Sequence, residues 1–99
     1  MKIMLVCAGG MSTGILMNKM GKWAKERALE LEVKAYGVGD YEQYYKDYQC
    51  ILLGPQISYK EKEIKKIVGD MPVAQIASMD YALGNVDNIM KQVDQLGVK

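Results

Sequence analysis

Ile3-Met4-Leu5-Val6-Cys7 is an unbroken apolar run that stops at Ala8-Gly9-Gly10. Alternating polarity would mark a strand with one wet face. Five apolar residues in succession suit a strand covered on both faces, followed by a sharp turn. From Ser12 or Thr13 onward, Leu16, Met20, Trp23, Ala24, Ala28 and Leu31 recur at helical spacing, with Lys19, Lys22, Lys25 and Glu26 on the other side. This pattern predicts a first helix reaching about Leu29 or Glu30. Gly21 lies inside it at a cost of about 1 kcal/mol relative to Ala, a cost that close packing against a neighbour would explain.

The alternation continues to the end of the chain. Leu31 to Tyr36 reads as a second strand, Gly37-Val38-Gly39-Asp40 as a turn, and the tyrosine-rich stretch Tyr41 to Tyr48 as a short helix. Cys50-Ile51-Leu52-Leu53 is a third strand broken by Gly54-Pro55-Gln56, and Ile57, Ile64, Ile67 and Val68 mark a third helix. Val73-Ala74-Gln75-Ile76 is a fourth strand. Val86, Ile89, Met90, Val93 and Leu96 form a last amphipathic helix with Asn85 placed to cap it. The order β-α-β-α-β-α-β-α implies an α/β fold, a small doubly wound four-stranded parallel sheet with helices on both faces. In the strand order 2-1-3-4 the connections reverse direction between strands one and three. The crevice outside their carboxyl ends, lined by the Cys7–Gly14 loop and Gly54-Pro55-Gln56, is then the expected ligand site.

Composition removes several kinds of function. The 99 residues carry 13 Lys+Arg against 12 Asp+Glu, a formal charge of +1, so no global basic field favours nucleic acid or acidic lipid. His is absent and there are two Cys, which excludes a disulfide scaffold, a zinc enzyme and the Ser-His-Asp or Cys-His hydrolases. No metal or cofactor is expected. Ile3 to Met11 is far short of the roughly 20 residues that cross a bilayer, and six residues before Cys7 are too few for a signal segment. The expectation is a cytoplasmic protein with reduced thiols, residues 1–99 forming one domain.

Cys7-Ala8-Gly9-Gly10-Met11-Ser12-Thr13-Gly14 combines a nucleophile, a flexible backbone and a helix N-terminus. Unsatisfied N–H groups in such a turn and at a helix start converge on a point and hold an anion without a cationic side chain. The same partial positive charge favours the nucleophilic thiolate over the thiol. A cysteine at the mouth of a phosphate cradle points to a phosphocysteine; as a bare strand end, Cys7 would be a small buried hydrophobe. Ser12 and Thr13 either donate hydroxyl hydrogen bonds to the phosphate or cap the helix, and one side chain can do both. Low-molecular-weight tyrosine phosphatases have a similar loop but require C-x5-R-[ST], and here Thr13 stands where the arginine belongs. There is no Gly-Lys-[Ser/Thr], and Gly9, Gly10 and Gly14 do not match G-x-G-x-x-G. A cradle without Arg, His or metal holds phosphate without strongly driving its hydrolysis, which suits a carrier.

At these residues the chain resembles a known family. The opening Ile3 to Gly14, the later Leu52-Leu53-Gly54-Pro55-Gln56-Ile57 and Met79-Asp80-Tyr81 look like the enzyme IIB component of the bacterial sugar phosphotransferase system, lactose/cellobiose (chitobiose) branch. The resemblance implies a phosphoryl relay. A phosphohistidine on a IIA protein donates to Cys7, and the phosphocysteine donates to a sugar bound by the membrane IIC permease, so the chain would work at the inner face of the membrane. The phosphate would be held by Ala8, Gly9, Gly10, Met11, Ser12, Thr13 and Gly14, without metal or cofactor. The competing readings are a phosphatase-like cysteine enzyme and a small-anion-binding module.

The remaining candidates are weaker. Met11 is expected at the loop tip, where a flexible apolar residue suits docking to two partners, or else in the core. Cys50 should be an inert core cysteine. Gln56 and Asp80 end strands and either rim the site or cap their turns. Tyr41, Tyr44, Tyr45 and Tyr48 are expected to cover a sheet edge, with a sugar-stacking platform as the alternative. Lys60-Glu61-Lys62-Glu63 with Lys65-Lys66 reads as a solvated helix face.

Overall fold

A computed structural model describes residues 1–8 and 11–97, with main chain alone at 11–13. Four strands, β1 (Lys2–Cys7), β2 (Glu32–Gly37), β3 (Cys50–Leu53) and β4 (Val73–Gln75), form one parallel sheet in the order β2-β1-β3-β4. The doubly wound arrangement expected from the alternation is therefore observed. Ile3, Met4, Leu5 and Val6 are fully buried, as an apolar run covered on both faces requires.

Side-chain alternation along β1 divides the core in two. Ile3 and Leu5 face α1 (Met11–Glu26) and α4 (Val86–Gln95), packing with Leu16, Met20, Ile89 and Val93. Met4 and Val6 face α2 (Glu61–Val68) and the turns before it, packing with Tyr41, Ile57, Ile64 and Val68. Helices α1 and α4 are further joined at the surface, where Trp23 Nε1 donates to Asp87 Oδ1 at 2.7 Å. Arg27 stacks over the Trp23 ring at 4.3 Å and lies 3.3 Å from the same carboxylate. With both charges exposed, that ion pair contributes about 0–1 kcal/mol. The Asn85 side chain caps α4 as expected, accepting from the Asn88 N–H at 3.2 Å.

Four local expectations are corrected. The first helix ends at Glu26, short of Leu29, because Ala28 turns left-handed at φ 54°. Leu29 N then bonds Ala24 O at 2.9 Å and Ala28 N bonds Lys25 O at 3.2 Å, closing a Schellman cap with Ala where Gly is usual. Ala28 is consequently exposed and leaves the apolar stripe. Tyr41–Gln43 and Tyr45–Asp47 are two separate 3-10 turns and not one helix. They are held by rings: Tyr36 stacks on Tyr44 at 4.8 Å, and the Tyr36 and Tyr48 hydroxyls lie 3.0 Å apart. The third helical segment opens as a 3-10 turn, Pro55–Lys60, in which Ile57 leaves helical geometry to enter the core, and becomes α-helical only at Glu61. A short helix that the periodicity did not predict, α3 (Ser78–Leu83), follows β4. The charged run lies on a solvated face as expected, with Glu61 paired to Lys65 at 3.1 Å; that contact holds the Glu61 carboxyl below its ordinary range.

Gly21 is the fourth correction. It lies exposed in α1, and a Cβ added there meets nothing within 4 Å, so close packing is not its reason. Gly21→Ala is expected to stabilise the protein by about 1 kcal/mol, raising the thermal midpoint by roughly 4–8 °C in a calorimetric scan.

Candidate functional site

The site is built at the point where the sheet changes direction. The chain leaves β1 toward β2 on one side and returns to β3 on the other, so the carboxyl ends of β1 and β3 open a crevice between them. Cys7 is the last residue of β1, and by alternation it shares the face of Ile3 and Leu5, the face that α1 covers. Its position is fixed from both neighbours. Cys7 pairs with Gly37 of β2 and its carbonyl accepts from Val38 N at 3.0 Å, while Gly54 N beyond β3 donates to Val6 O at 2.9 Å.

Gly54 packs close to the cysteine: a Cβ there would lie in ordinary contact with Cys7 Cβ at 3.7 Å and Val6 O at 3.6 Å, and 3.0 Å from Gln56 Oε1, the movable end of a side chain. Cys7 itself is 2% exposed. Ala8 is an exposed bend residue, and α1 begins at Met11, three residues after Ala8. Main-chain N–H groups at the start of an α-helix lack intrahelical partners, and in α1 these are the N–H groups of 11–14. At Gly14 a Cβ would meet nothing within 4 Å among the described residues.

The sequence-predicted residues thus divide. Cys7 ends β1 at the carboxyl edge, Ala8 follows it as an exposed bend, and Gly14 lies in the first turn of α1 with the main chain of Met11, Ser12 and Thr13. Gly9 and Gly10, and the side chains of Met11, Ser12 and Thr13, lie outside the described residues. Gln56 stands at the rim beside Gly54. Asp80 acts as a cap: its Oδ1 accepts from Asn88 Nδ2 at 3.1 Å and its carbonyl from Asn85 N at 2.9 Å. Cys50 is fully buried at the opposite, amino end of the sheet and burial pushes its thiol up to about 11. Of the two cysteines, only Cys7 stands at the carboxyl edge of the sheet.

The linear pattern missed an apolar collar. Ile15 in α1 and Met79 and Leu83 in α3 are each about two-thirds or more exposed, and a hollow of about 210 Å³ separates the two helices beside Ile15, Leu16, Tyr81 and Ala82. The only signal for it was Ile15, out of phase with the buried stripe Leu16-Met20-Ala24. Among the described residues no helix is long and apolar enough to cross a membrane.

Set beside known proteins, this geometry has clear counterparts. The family profile described as "PTS system, Lactose/Cellobiose specific IIB subunit" matches residues 2–92. The oligo-beta-mannoside-specific EIIB component of Bacillus subtilis is 35% identical over 99 residues, covering 98% of this chain and 96% of that protein. The lactose-specific EIICB component of Staphylococcus haemolyticus is 36% identical over 64 residues, 65% of this chain and only 11% of that much longer protein. Among solved structures, the cellobiose-specific IIB component of Borrelia burgdorferi superposes with a TM-score of 0.79 at 26% identity, covering 97% of this chain and 90% of that one. The lactose-specific IIB domain of Streptococcus pneumoniae reaches 0.83 at 17% identity, over 92% and 95% of the two chains, a likeness of fold. The fold is that of a IIB-type domain. The chain belongs to the lactose/cellobiose-specific IIB family of the phosphotransferase system.

Cys50 gives a pH test of this division between the cysteines. Its ordinary pKa is 9.0, and in the fold it keeps its proton until about 11. Between those values the unfolded chain binds fewer protons than the folded one, so stability falls as pH rises from 9 to 11, by up to roughly 2–3 kcal/mol from this group. Tyr41 and Tyr48, whose hydroxyls burial also pushes up, lose stability in the same direction. Urea unfolding of Cys50→Ala should therefore show a pH-independent offset and a shallower loss over this window than the parent. Identical slopes would contradict the assignment of Cys50.

Proposed function

We propose that this chain is the phosphocysteine relay of a sugar-uptake system, with Cys7 as its phosphorylated residue. The observation that carries the reading is the placement of Cys7 at the carboxyl edge of the central strand, four residues before the start of α1, whose first-turn N–H groups have no intrahelical acceptor. In the first step the Cys7 thiolate attacks phosphorus on the phosphohistidine of a IIA protein. An S–P bond forms, the N–P bond breaks, and the imidazole leaves with its electron pair. In the second step a sugar hydroxyl held by the IIC permease attacks the same phosphorus. An O–P bond forms, the S–P bond breaks and the thiolate is restored, while the hydroxyl proton passes to a base of the partner.

The cradle of 8–14 supplies oriented amides in both steps. Catalysis is positioning plus electrostatics, because a carrier must release its phosphate as readily as it accepts it. No cofactor enters this scheme. Family membership supports it, as does the EIICB form of the lactose relatives, in which IIC and IIB carry one name. The relatives are named for lactose, galactose and oligo-beta-mannoside, which favours a β-linked disaccharide as the transported sugar here. The chain then acts in the cytoplasm, at the inner membrane face through IIC. The exposed collar of Ile15, Met79 and Leu83 supplies apolar area for docking.

Incubation with phosphoenolpyruvate, the general phosphotransferase proteins and a cognate IIA should add one phosphoryl group by intact mass to the parent and to Cys50→Ala, and none to Cys7→Ser. Label that follows Cys50 would overturn the assignment. Because Thr13 stands where phosphatases place arginine, turnover of para-nitrophenyl phosphate should stay far below that of a cysteine phosphatase. Comparable turnover would favour the enzyme reading.

A further inference from the structure

Gln56 is held by its backbone and left unengaged by its side chain. Pro55 fixes the entry to the 3-10 turn Pro55–Lys60, and Gly54 N is tied to Val6 O at 2.9 Å. On the other side Ile57 N closes on Gly54 O at 3.1 Å, and the Ile57 side chain is buried in the core. The residue between these anchors has little freedom to move. Its side chain is exposed, and among the described residues its amide has no hydrogen-bond partner. Asp80, the other candidate near a strand end, uses its carboxylate to accept from Asn88. Gln56 has no such capping bond.

The structure also bounds the distance of that amide from Cys7. A Cβ placed on Gly54 would lie 3.0 Å from Gln56 Oε1 and 3.7 Å from Cys7 Cβ, so those two atoms are no further apart than the two spans laid end to end. A phosphoryl oxygen on Cys7 extends three bonds beyond the same Cβ, through the sulfur and the phosphorus. Those bonds and one hydrogen bond of about 2.9 Å together exceed the two spans. Rotation about the last side-chain bond brings Nε2 to the place of Oε1. The amide then offers two N–H donors to a group that only accepts.

We propose that Gln56 is a further phosphate ligand of the site, its side-chain amide donating to a phosphoryl oxygen on Cys7 while forming no covalent bond and moving no proton. The assignment rests on the relay proposed above. A neutral donor fits a carrier, because one amide orients the phosphoryl group without the grip of a guanidinium fork. The test measures the equilibrium of phosphoryl transfer between a cognate phosphorylated IIA and Cys7, by intact mass, in the parent, Gln56→Leu and Gln56→Glu. Gln56→Leu should shift that equilibrium away from Cys7 by about tenfold, the loss of one hydrogen bond to a charged group. Gln56→Glu, close in shape but with an acceptor-only carboxylate toward the phosphate, should shift it further. In the labelled parent, phosphorylation should move the Gln56 side-chain amide resonances more than those of the exposed Gln43 and Gln95. That measurement needs no variant to fold.

Unmoved Gln56 amide resonances, with both variants at the parent's equilibrium, would overturn the proposal and leave the relay standing. A slower approach to an unchanged equilibrium would overturn it in favour of a contact between Gln56 and IIA, since docking alters the rate of transfer and not its end point. A parent that takes no phosphate on Cys7 would overturn the relay and this assignment with it.

Discussion

The pairing of β1 on both of its edges is the constraint from which the rest of the molecule follows. A strand buried on both faces can be stable only if helices cover each face and neighbouring strands satisfy its N–H and C=O groups on either side. β1 meets both conditions, with β2 on one edge, β3 on the other, and Ile3 to Val6 inaccessible to solvent. Once β1 is central, the chain must turn one way to form β2 and the other way to form β3. Its last residue therefore stands at the mouth of the crevice that this reversal creates. Cys7 needs no device of its own to be placed there.

The same architecture bears on the chemistry proposed for Cys7. Main-chain groups hold Cys7 in place: it pairs with Gly37 of β2, its carbonyl accepts from Val38 N, and Gly54 beyond β3 bonds the neighbouring Val6 carbonyl. Backbone dipoles orient an anion at little reorganisation cost and bind it less tightly than an arginine fork. That balance suits a group which is taken up and passed on. The second cysteine shows the contrast, because Cys50 starts its strand instead of ending one and burial keeps it protonated.

The strands were legible because a doubly covered strand writes itself as a continuous apolar run; Ile3–Cys7 and Cys50–Leu53 needed no other information. The site was legible for a related reason, since a nucleophile, glycines and a helix start adjoin in sequence. Helix ends were less so. Ala28 adopts a left-handed conformation that sequence reasoning reserves for glycine, and only the cap bonds to Ala24 and Lys25 reveal why the helix stops. The tyrosine segment was misread as a helix because its order comes from ring packing against Tyr36, a residue of another element. Helix α3 and the collar around Ile15 arise from elements meeting in space. No local pattern encodes them.

The central claim is that backbone amides following Cys7, and not a cationic surface, hold its phosphate. The most direct measurement compares amide and lysine side-chain resonances before and after phosphorylation of the isotopically labelled protein. The account predicts the largest shifts across Ala8 to Gly14, with smaller ones at Gly54 to Gln56 and Met79 to Tyr81. Unmoved loop amides, with the lysines of α2 responding in their place, would contradict it.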